Sequence, residues 1–168
     1  MGHNLSALIT WQPIDEKMTE EFGLAVVFEH DLVIIPIVLE SLDVFEKELG
    51  VKYEPYSNKV LIDSSVTHRL AELLEIRSFA VIETDYFGGS GTQCASYYSN
   101  GIQELREVTI NDVLRHMGVR KAMDMLDEFD TIGLGKYRRT DDDRFWEVES
   151  WGQRIGNILI GKKRIAYD

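Results

Sequence analysis

Two strand-like runs flank an Asn-Gly pair in the segment QCASYYSNGIQELREV, Gln93–Val108. An Asn-Gly pair in this setting is a strong signal for a two-residue hairpin turn of type I′, because both residues tolerate the positive φ angles that the turn requires. We therefore predict antiparallel strands over residues 93–99 and 102–108, joined by a tight turn at Asn100-Gly101.

A glycine-rich run precedes this hairpin, with the sequence Tyr86-Phe87-Gly88-Gly89-Ser90-Gly91-Thr92-Gln93-Cys94. It follows Phe79–Tyr86, which has the composition of a central strand. Three glycines in four residues allow backbone conformations and close approaches that other residues do not. The simplest interpretation is a glycine bulge or wide turn that links two strands of one sheet.

Two nucleotide-binding motifs do not fit this run. A phosphate-binding loop needs a lysine directly after its last glycine, and no lysine lies between Lys59 and Lys121. A dinucleotide-binding loop needs a helix that begins at its last glycine, whereas here the chain continues into the predicted hairpin. We therefore expect no binding of ATP, GTP or NAD, and we assign no cofactor.

Further strands and helices are predicted along the rest of the chain. The predicted strands are 5–11, 25–28, 32–35 and a brief 60–62, and the predicted helices are 38–49, 63–74, 109–117 and 120–132. In the second helix we expect Asp63 to cap the N-terminus and His68 to face water. This mixture predicts a single α+β domain over residues 1–168, with helices packed on a mixed or antiparallel sheet. From about residue 141 we expect a peripheral helix or tail.

Composition restricts the partners and the compartment. The 168 residues are 44% hydrophobic and 28% charged, which suits a folded protein with a core of its own. The formal net charge of −11 disfavours nucleic acid and anionic membranes as partners. Because there is one cysteine and the N-terminus lacks a signal-peptide pattern, we expect a cytoplasmic protein.

Candidate ligand-binding residues surround the glycine run. Strand alternation places Glu83 and Asp85 on one face, roughly 7 Å apart, and aromatic side chains beside a glycine turn supply apolar contact to a ligand. The candidate set is Glu83, Asp85, Tyr86, Phe87, Gly88, Gly89 and Gln93. The alternative interpretation is an ordinary solvent-facing sheet surface. With no complete catalytic signature and no metal-ligand spacing, we assign no catalytic or metal-binding residue.

Acidic residues are concentrated in the predicted helix 120–132. Asp124, Asp127, Glu128 and Asp130 would give that helix a negatively charged face. Such a face accelerates association with a basic protein partner, and salt screens the effect. The alternative is that these acids only keep the protein in solution.

Three stretches carry a resemblance to known proteins. They are Met1-Gly2-His3-Asn4-Leu5, then Glu83-Thr84-Asp85-Tyr86-Phe87-Gly88-Gly89-Ser90-Gly91-Thr92-Gln93, and Asp127-Glu128-Phe129-Asp130-Thr131-Ile132-Gly133-Leu134-Gly135-Lys136-Tyr137-Arg138. In order and spacing the chain resembles a family of small, uncharacterised bacterial cytosolic proteins. The resemblance implies a bacterial, cytosolic origin and no particular activity.

The hypothesis from sequence is a non-enzymatic, acidic protein-binding domain of immunity or regulatory type. The alternative is a small enzyme or small-molecule binder with its site at the glycine-rich turn, residues 86–93. A cleft at that turn would favour the alternative, whereas a filled, convex turn would favour protein binding.

Overall fold

One antiparallel sheet organises the structure, a computed structural model that describes residues 2–11, 13–88 and 90–140. Its strands are β1 (His3–Trp11), β2 (Val27–Glu29), β3 (Leu32–Pro36), β4 (Ser78–Phe87), β5 (Ser90–Ser99) and β6 (Ile102–Val108). The strand order is β2-β3-β1-β4-β5-β6, and every neighbouring pair is antiparallel.

Five helices accompany the sheet in the described ranges. They are α1 (Glu16–Glu21), α2 (Leu42–Leu49), α3 (Ser65–Leu73), α4 (Ile110–His116) and α5 (Glu128–Thr131), with short 3₁₀ turns at Leu39–Ser41 and Leu134–Lys136. Within these ranges every helix is too short or too polar to be a membrane span. The predicted α+β fold is thus confirmed.

Helices cover both faces of the sheet because its central strands are apolar on both sides. On β1, Leu5, Ala7 and Ile9 lie in a buried cluster with side chains of α4. Their neighbour Leu8 points the other way, into a second cluster with side chains of α2 and α3. We call these two sides of the sheet the α4 face and the α3 face. Strand alternation therefore decides which helical layer each sheet residue meets.

The hairpin predicted at Asn100-Gly101 is confirmed. Ser99 pairs with Ile102, so the loop between the strands has two residues. Both loop residues have positive φ, 51° at Asn100 and 78° at Gly101, as a type I′ turn requires.

The glycine run joins two adjacent strands of the sheet, as its simplest interpretation predicts. Phe87 of β4 pairs with Ser90 of β5, and Gly88 between them has a φ of 62°. Gly91 has a different role, because a Cβ there would lie 2.1 Å from the carbonyl oxygen of Asp85 and 2.5 Å from Cα of Tyr86. The backbones of β4 and β5 thus approach at Gly91 more closely than a side chain permits.

Two elements differ from the predictions. Residues 60–62 form a turn instead of a strand, since the amide of Asp63 donates to the carbonyl of Val60. The predicted helix 120–132 is wrong over most of its length, because only α5 is helical there. Asp127 explains the difference: its backbone is extended and its carboxylate caps α5 by accepting from the amide of Asp130 at 2.9 Å. The element expected from residue 141 lies outside the described residues.

The expectation that Asp63 caps α3 and that His68 faces water is also wrong. Ser64 is the N-cap of α3, and the Asp63 carboxylate is fully buried. One of its oxygens lies 3.0 Å from Nε2 of His68, and the other accepts a hydrogen bond of 2.8 Å from the hydroxyl of Tyr98. Gln103 in turn donates to the Tyr98 oxygen at 2.7 Å. This network fastens α3 to strands β5 and β6.

His68 is half-buried within this network. Its ring makes edge-to-face contacts with Tyr56, Phe79 and Tyr98, at centroid distances of 4.7, 5.1 and 4.3 Å. Burial and the Asp63 carboxylate raise the pKa of Tyr98, so its hydroxyl stays protonated and donates throughout the physiological pH range.

Replacing Gly91 by alanine should destabilise the sheet by at least about 2 kcal/mol, since the new methyl group would overlap the backbone of β4. Chemical denaturation followed by circular dichroism measures the loss. Thr92→Ala on the same strand is the control, because Thr92 is exposed, and it should cost less than about 1 kcal/mol. Equal losses in the two variants would contradict the close approach.

Tyr98→Phe should lower the free energy of unfolding by about 1.5–3 kcal/mol, because it removes a hydrogen bond to a buried charged group. Tyr97→Phe is the matched control. Tyr97 is similarly buried, but its hydroxyl has no hydrogen-bond partner among the described residues. Urea denaturation of both variants at pH 7 provides the comparison. If Tyr98→Phe costs no more than Tyr97→Phe, the Asp63 network does not fasten α3 to the sheet.

Candidate functional site

A pocket of about 650 Å³ opens on the α4 face beside the glycine-linked ends of β4 and β5. Side chains reach it from β1, β4, β5 and α4 and from residues 125–138. We call it the polar pocket. The lining residues on which its chemistry depends are His3, Tyr86, Gln93, Asn111, Phe129 and Asp130. Polar side chains that converge from distant segments on one concavity are characteristic of binding sites.

His3 is almost buried at the wall of the polar pocket. Its Nε2 lies 3.3 Å from the carbonyl oxygen of Leu134, and its Nδ1 lies 2.6 Å from Oγ1 of Thr84. Because a carbonyl oxygen only accepts, the neutral ring carries its proton on Nε2, and Nδ1 accepts from the Thr84 hydroxyl. Burial lowers the pKa of His3 below its usual 6.5. His3 is therefore uncharged near pH 7.

Asn111 of α4 fixes the opposite side of the pocket. Its Nδ2 donates to Asp127 at 3.0 Å, and its Oδ1 accepts from the amide of Phe129 at 2.9 Å. Both oxygens of Asp127 are thereby used, since the other one accepts from the amide of Asp130. The ring of Phe129 lies 5.5 Å from that of His3. One amide side chain thus holds α5 and its aromatic residue against the pocket.

Three polar side chains of the pocket are left without partners in the described part of the chain. They are the Tyr86 hydroxyl, the Gln93 amide and the Asp130 carboxylate, all on half-buried residues. The lining also contains Lys136, whose ammonium lies 3.0 Å from Glu29 on β2. The pocket therefore offers hydrogen-bond acceptors and two half-buried carboxylates, of which Asp127 is already bonded to neutral donors, and its lining also includes the guanidinium of Arg138.

The sheet divides the ligand-binding residues that the sequence analysis proposed. Tyr86 and Gln93 line the polar pocket, and Gln93 shares the α4 face with its pairing partner Thr84. By strand alternation Glu83 and Asp85 lie together on the α3 face, as expected, and so does Phe87. Gly88 is exposed in the turn, and Gly89 lies outside the described residues.

On the α3 face, Glu83, Asp85 and Phe87 line a second pocket of about 820 Å³. Glu83 accepts a hydrogen bond of 2.7 Å from the amide of Leu61. Burial raises the pKa of Glu83, and the neighbouring charge of Asp85 adds to the effect. The two strand carboxylates are therefore neighbours, and the sheet separates them from Gln93.

The acids proposed as a partner surface have different surroundings. Asp124 is exposed on the loop before α5, whereas Asp127 and Asp130 line the polar pocket. Glu128 is buried, and its carboxylate lies 3.4 Å from Nη1 of Arg115 on α4. These four residues do not form one helical face, because the helix that would align them is absent.

Nucleophilic and metal chemistry receives little support from the described residues. Cys94 is buried, and burial raises the pKa of its thiol, which disfavours the reactive thiolate. Within the described ranges no group of three histidine, cysteine or acidic side chains is arranged to hold a metal ion.

Comparison of the chain with protein-family models, curated proteins and solved structures gave no match. The site is therefore interpreted from its own geometry.

Sequence reasoning missed His3, Asn111 and Phe129. His3 alternates with Leu5 and Ala7, so a longer first strand would have placed it on the same face. Asn111 carries no comparable signal, because its partners are 16 and 18 residues away along the chain.

His3→Gln should remove part of the pH dependence of stability. The pKa of His3 is lowered in the folded state, so below about pH 6.5 the unfolded chain binds the proton more readily. The wild type should lose this stability as pH falls from 6.5 towards the folded pKa, and the variant should not. Thermal unfolding of both proteins at pH 7.5 and 5.0 measures the effect. The difference in melting temperature between wild type and variant should be smaller at pH 5.0 than at pH 7.5. A difference in melting temperature that does not change with pH would contradict a buried, neutral His3.

Proposed function

We propose that this chain is a non-enzymatic protein-binding domain, of immunity or regulatory type, that binds a basic protein partner beside the polar pocket. The observation that carries the proposal is an exposed apolar loop, residues 123–126. Met123 and Leu126 are 103% and 85% exposed, and Met125 is also exposed. Single exposed apolar residues are ordinary, whereas a contiguous group of them marks an interaction surface.

The apolar loop is continuous with the polar pocket, because Met125 lines that pocket. Apolar side chains next to a cavity with unpaired polar groups resemble the mixed character of protein interfaces. Methionine is well suited to such a surface, since its flexible side chain adapts to a partner. The loop and the pocket together are the surface that we assign to the partner, and we call them the docking surface.

Charge supports a basic partner. The chain has a net charge of −11, and exposed Asp124 lies within the apolar loop. Negative potential around a docking surface raises the association rate for a positively charged protein. The basic residues Arg120 and Lys121 precede the loop, so the attraction comes from the whole molecule and not from the loop alone.

We further propose a cytoplasmic location. Cys94 is the only cysteine and is buried as a free thiol, which suits a reducing compartment.

A second candidate function is the binding of a small molecule. The volume of the polar pocket lies within the range of small-molecule sites, and Tyr86 and Gln93 of the glycine-rich turn line it. A cleft at this turn is the feature that favours a ligand site. The exposed apolar loop favours protein binding, because a small molecule in the pocket would leave Met123 and Leu126 in water.

The double variant Met123→Ser/Leu126→Ser should lose the partner. The immobilised protein is incubated with a lysate of its native cells at low and high salt, and bound proteins are quantified by mass spectrometry. Wild type should retain a protein at low salt and less of it at high salt, because screening weakens the charge attraction. The double variant should retain about tenfold less, as expected for truncation of two central contacts.

Ile102→Ser is the matched control, since Ile102 is 67% exposed and follows the hairpin turn at the far end of β5 from the glycine turn. It should retain the partner as wild type does. Asp124→Asn tests the charge and should reduce retention at low salt. If wild type retains no protein at low salt, or if the double variant retains the same protein equally well, the proposal is wrong.

A further inference from the structure

We infer that the polar pocket receives an arginine side chain of the protein partner. This inference rests on the proposed function and adds the chemical group that the docking surface recognises. The central observation is Asp130, a half-buried carboxylate with no hydrogen-bond donor and no cation among the described residues. A carboxylate that is partly removed from water gains most from a cation that also donates hydrogen bonds.

The other acids around the pocket already have partners. Glu128 forms an ion pair with Arg115, and Glu29 forms one with Lys136. Asp127 accepts a hydrogen bond from the side-chain amide of Asn111. Lys136 is thereby directed to β2, where the hydroxyl of Tyr137 also donates to Glu29 at 2.7 Å. Arg138 lines the pocket as well and makes contacts of its own. Asp130 is thus the acid left to recognise a group from outside.

Two further acceptors favour a guanidinium group over an ammonium group. The Tyr86 hydroxyl and the Gln93 side-chain carbonyl line the same pocket as Asp130 and are without partners in the described structure. A guanidinium group has five N–H donors in a plane, so it can serve several acceptors at once. It also stacks on aromatic rings, and Tyr86 and Phe129 supply two of them.

His3 does not oppose a cation in this pocket. Its ring lies next to Phe129, and its lowered pKa keeps it uncharged near neutral pH. Asp130 is also held in place, because its amide donates to Asp127 within the Asn111 contacts. The backbone that carries this carboxylate is therefore fixed before a ligand arrives, which reduces the entropic cost of binding.

In the test, the full chain is titrated with the blocked tripeptide acetyl-Gly-Arg-Gly-amide. The backbone and side-chain amide signals of the protein are followed by NMR. We expect saturable shifts that include the Gln93 and Asn111 side chains. Replacing arginine in the peptide by citrulline, which removes the charge, should weaken binding at least tenfold, and lysine should also bind more weakly than arginine.

Asp130→Asn should weaken binding of the arginine peptide at least tenfold. Tyr86→Phe should weaken it about fivefold, the effect of one lost hydrogen bond. Glu48→Gln is the matched control, because Glu48 is exposed on α2, on the other face of the sheet, and the change removes the same charge; it should leave the affinity unchanged. The Asp130 carboxylate has no partner in the described structure, so Asp130→Asn should keep the wild-type melting temperature.

Three outcomes would overturn the inference. They are no binding of the arginine peptide, equal weakening by Asp130→Asn and Glu48→Gln, and binding of free agmatine at least tenfold tighter than the peptide. The last would assign the pocket to a small guanidinium compound instead of a protein side chain. If the arginine peptide does not bind but Met123→Ser/Leu126→Ser still loses the protein partner, this inference is wrong and the proposed function stands.

Discussion

The pairing of β4 along its whole length is the constraint on which the rest of the structure depends. Each residue from Ser78 to Phe87 pairs with β5, and all but the two terminal ones pair with β1. A central strand held on both edges has a fixed register, and alternation then assigns each side chain to one face. Thr84 and Tyr86 therefore belong to the polar pocket, while Glu83 and Asp85 belong to the α3 face. A slip of one residue would exchange the two sets.

Local signals predicted those features that depend on neighbouring residues. The Asn-Gly turn was predictable because positive φ is required at both positions, and the glycine-linked strands followed from the same reasoning. The helix over 120–132 could not be excluded locally, because Asp127 ends the irregular segment through contacts with Asn111, 16 residues earlier. The burial of His68 likewise depends on Tyr98, which the sheet brings to Asp63 from 35 residues away. Strand alternation was enough to predict that Glu83 and Asp85 share one face, but the register of β4 on β5 was needed to show that the sheet separates them from Gln93.

Hydrogen bonding separates acids that support the fold from those available for binding. Asp63 is fully buried and bonded on both oxygens, and Glu128 is buried beside Arg115. The sequence predicted Asp63 as a helix cap and Glu128 on a charged helix face, because composition does not show which carboxylates will find partners. No fully buried side-chain nitrogen or oxygen in the described residues lacks a partner. Asp130 is only half-buried and is unpaired in the described structure, and our inference assigns its partner to another molecule.

The glycine run supports the binding surface without supplying its chemistry. Gly91 lets β5 pass against the backbone of Tyr86, at a distance that excludes a Cβ. This close approach sets the positions of Tyr86 and of Gln93, which lies two residues after Gly91. Both carry groups of the polar pocket that have no partner in the described structure. A side chain at position 91 would force the strands apart and displace Tyr86 and Gln93. The motif that looked from sequence like a ligand loop thus acts through the geometry of the sheet, and the recognition chemistry comes from the side chains that this geometry brings together.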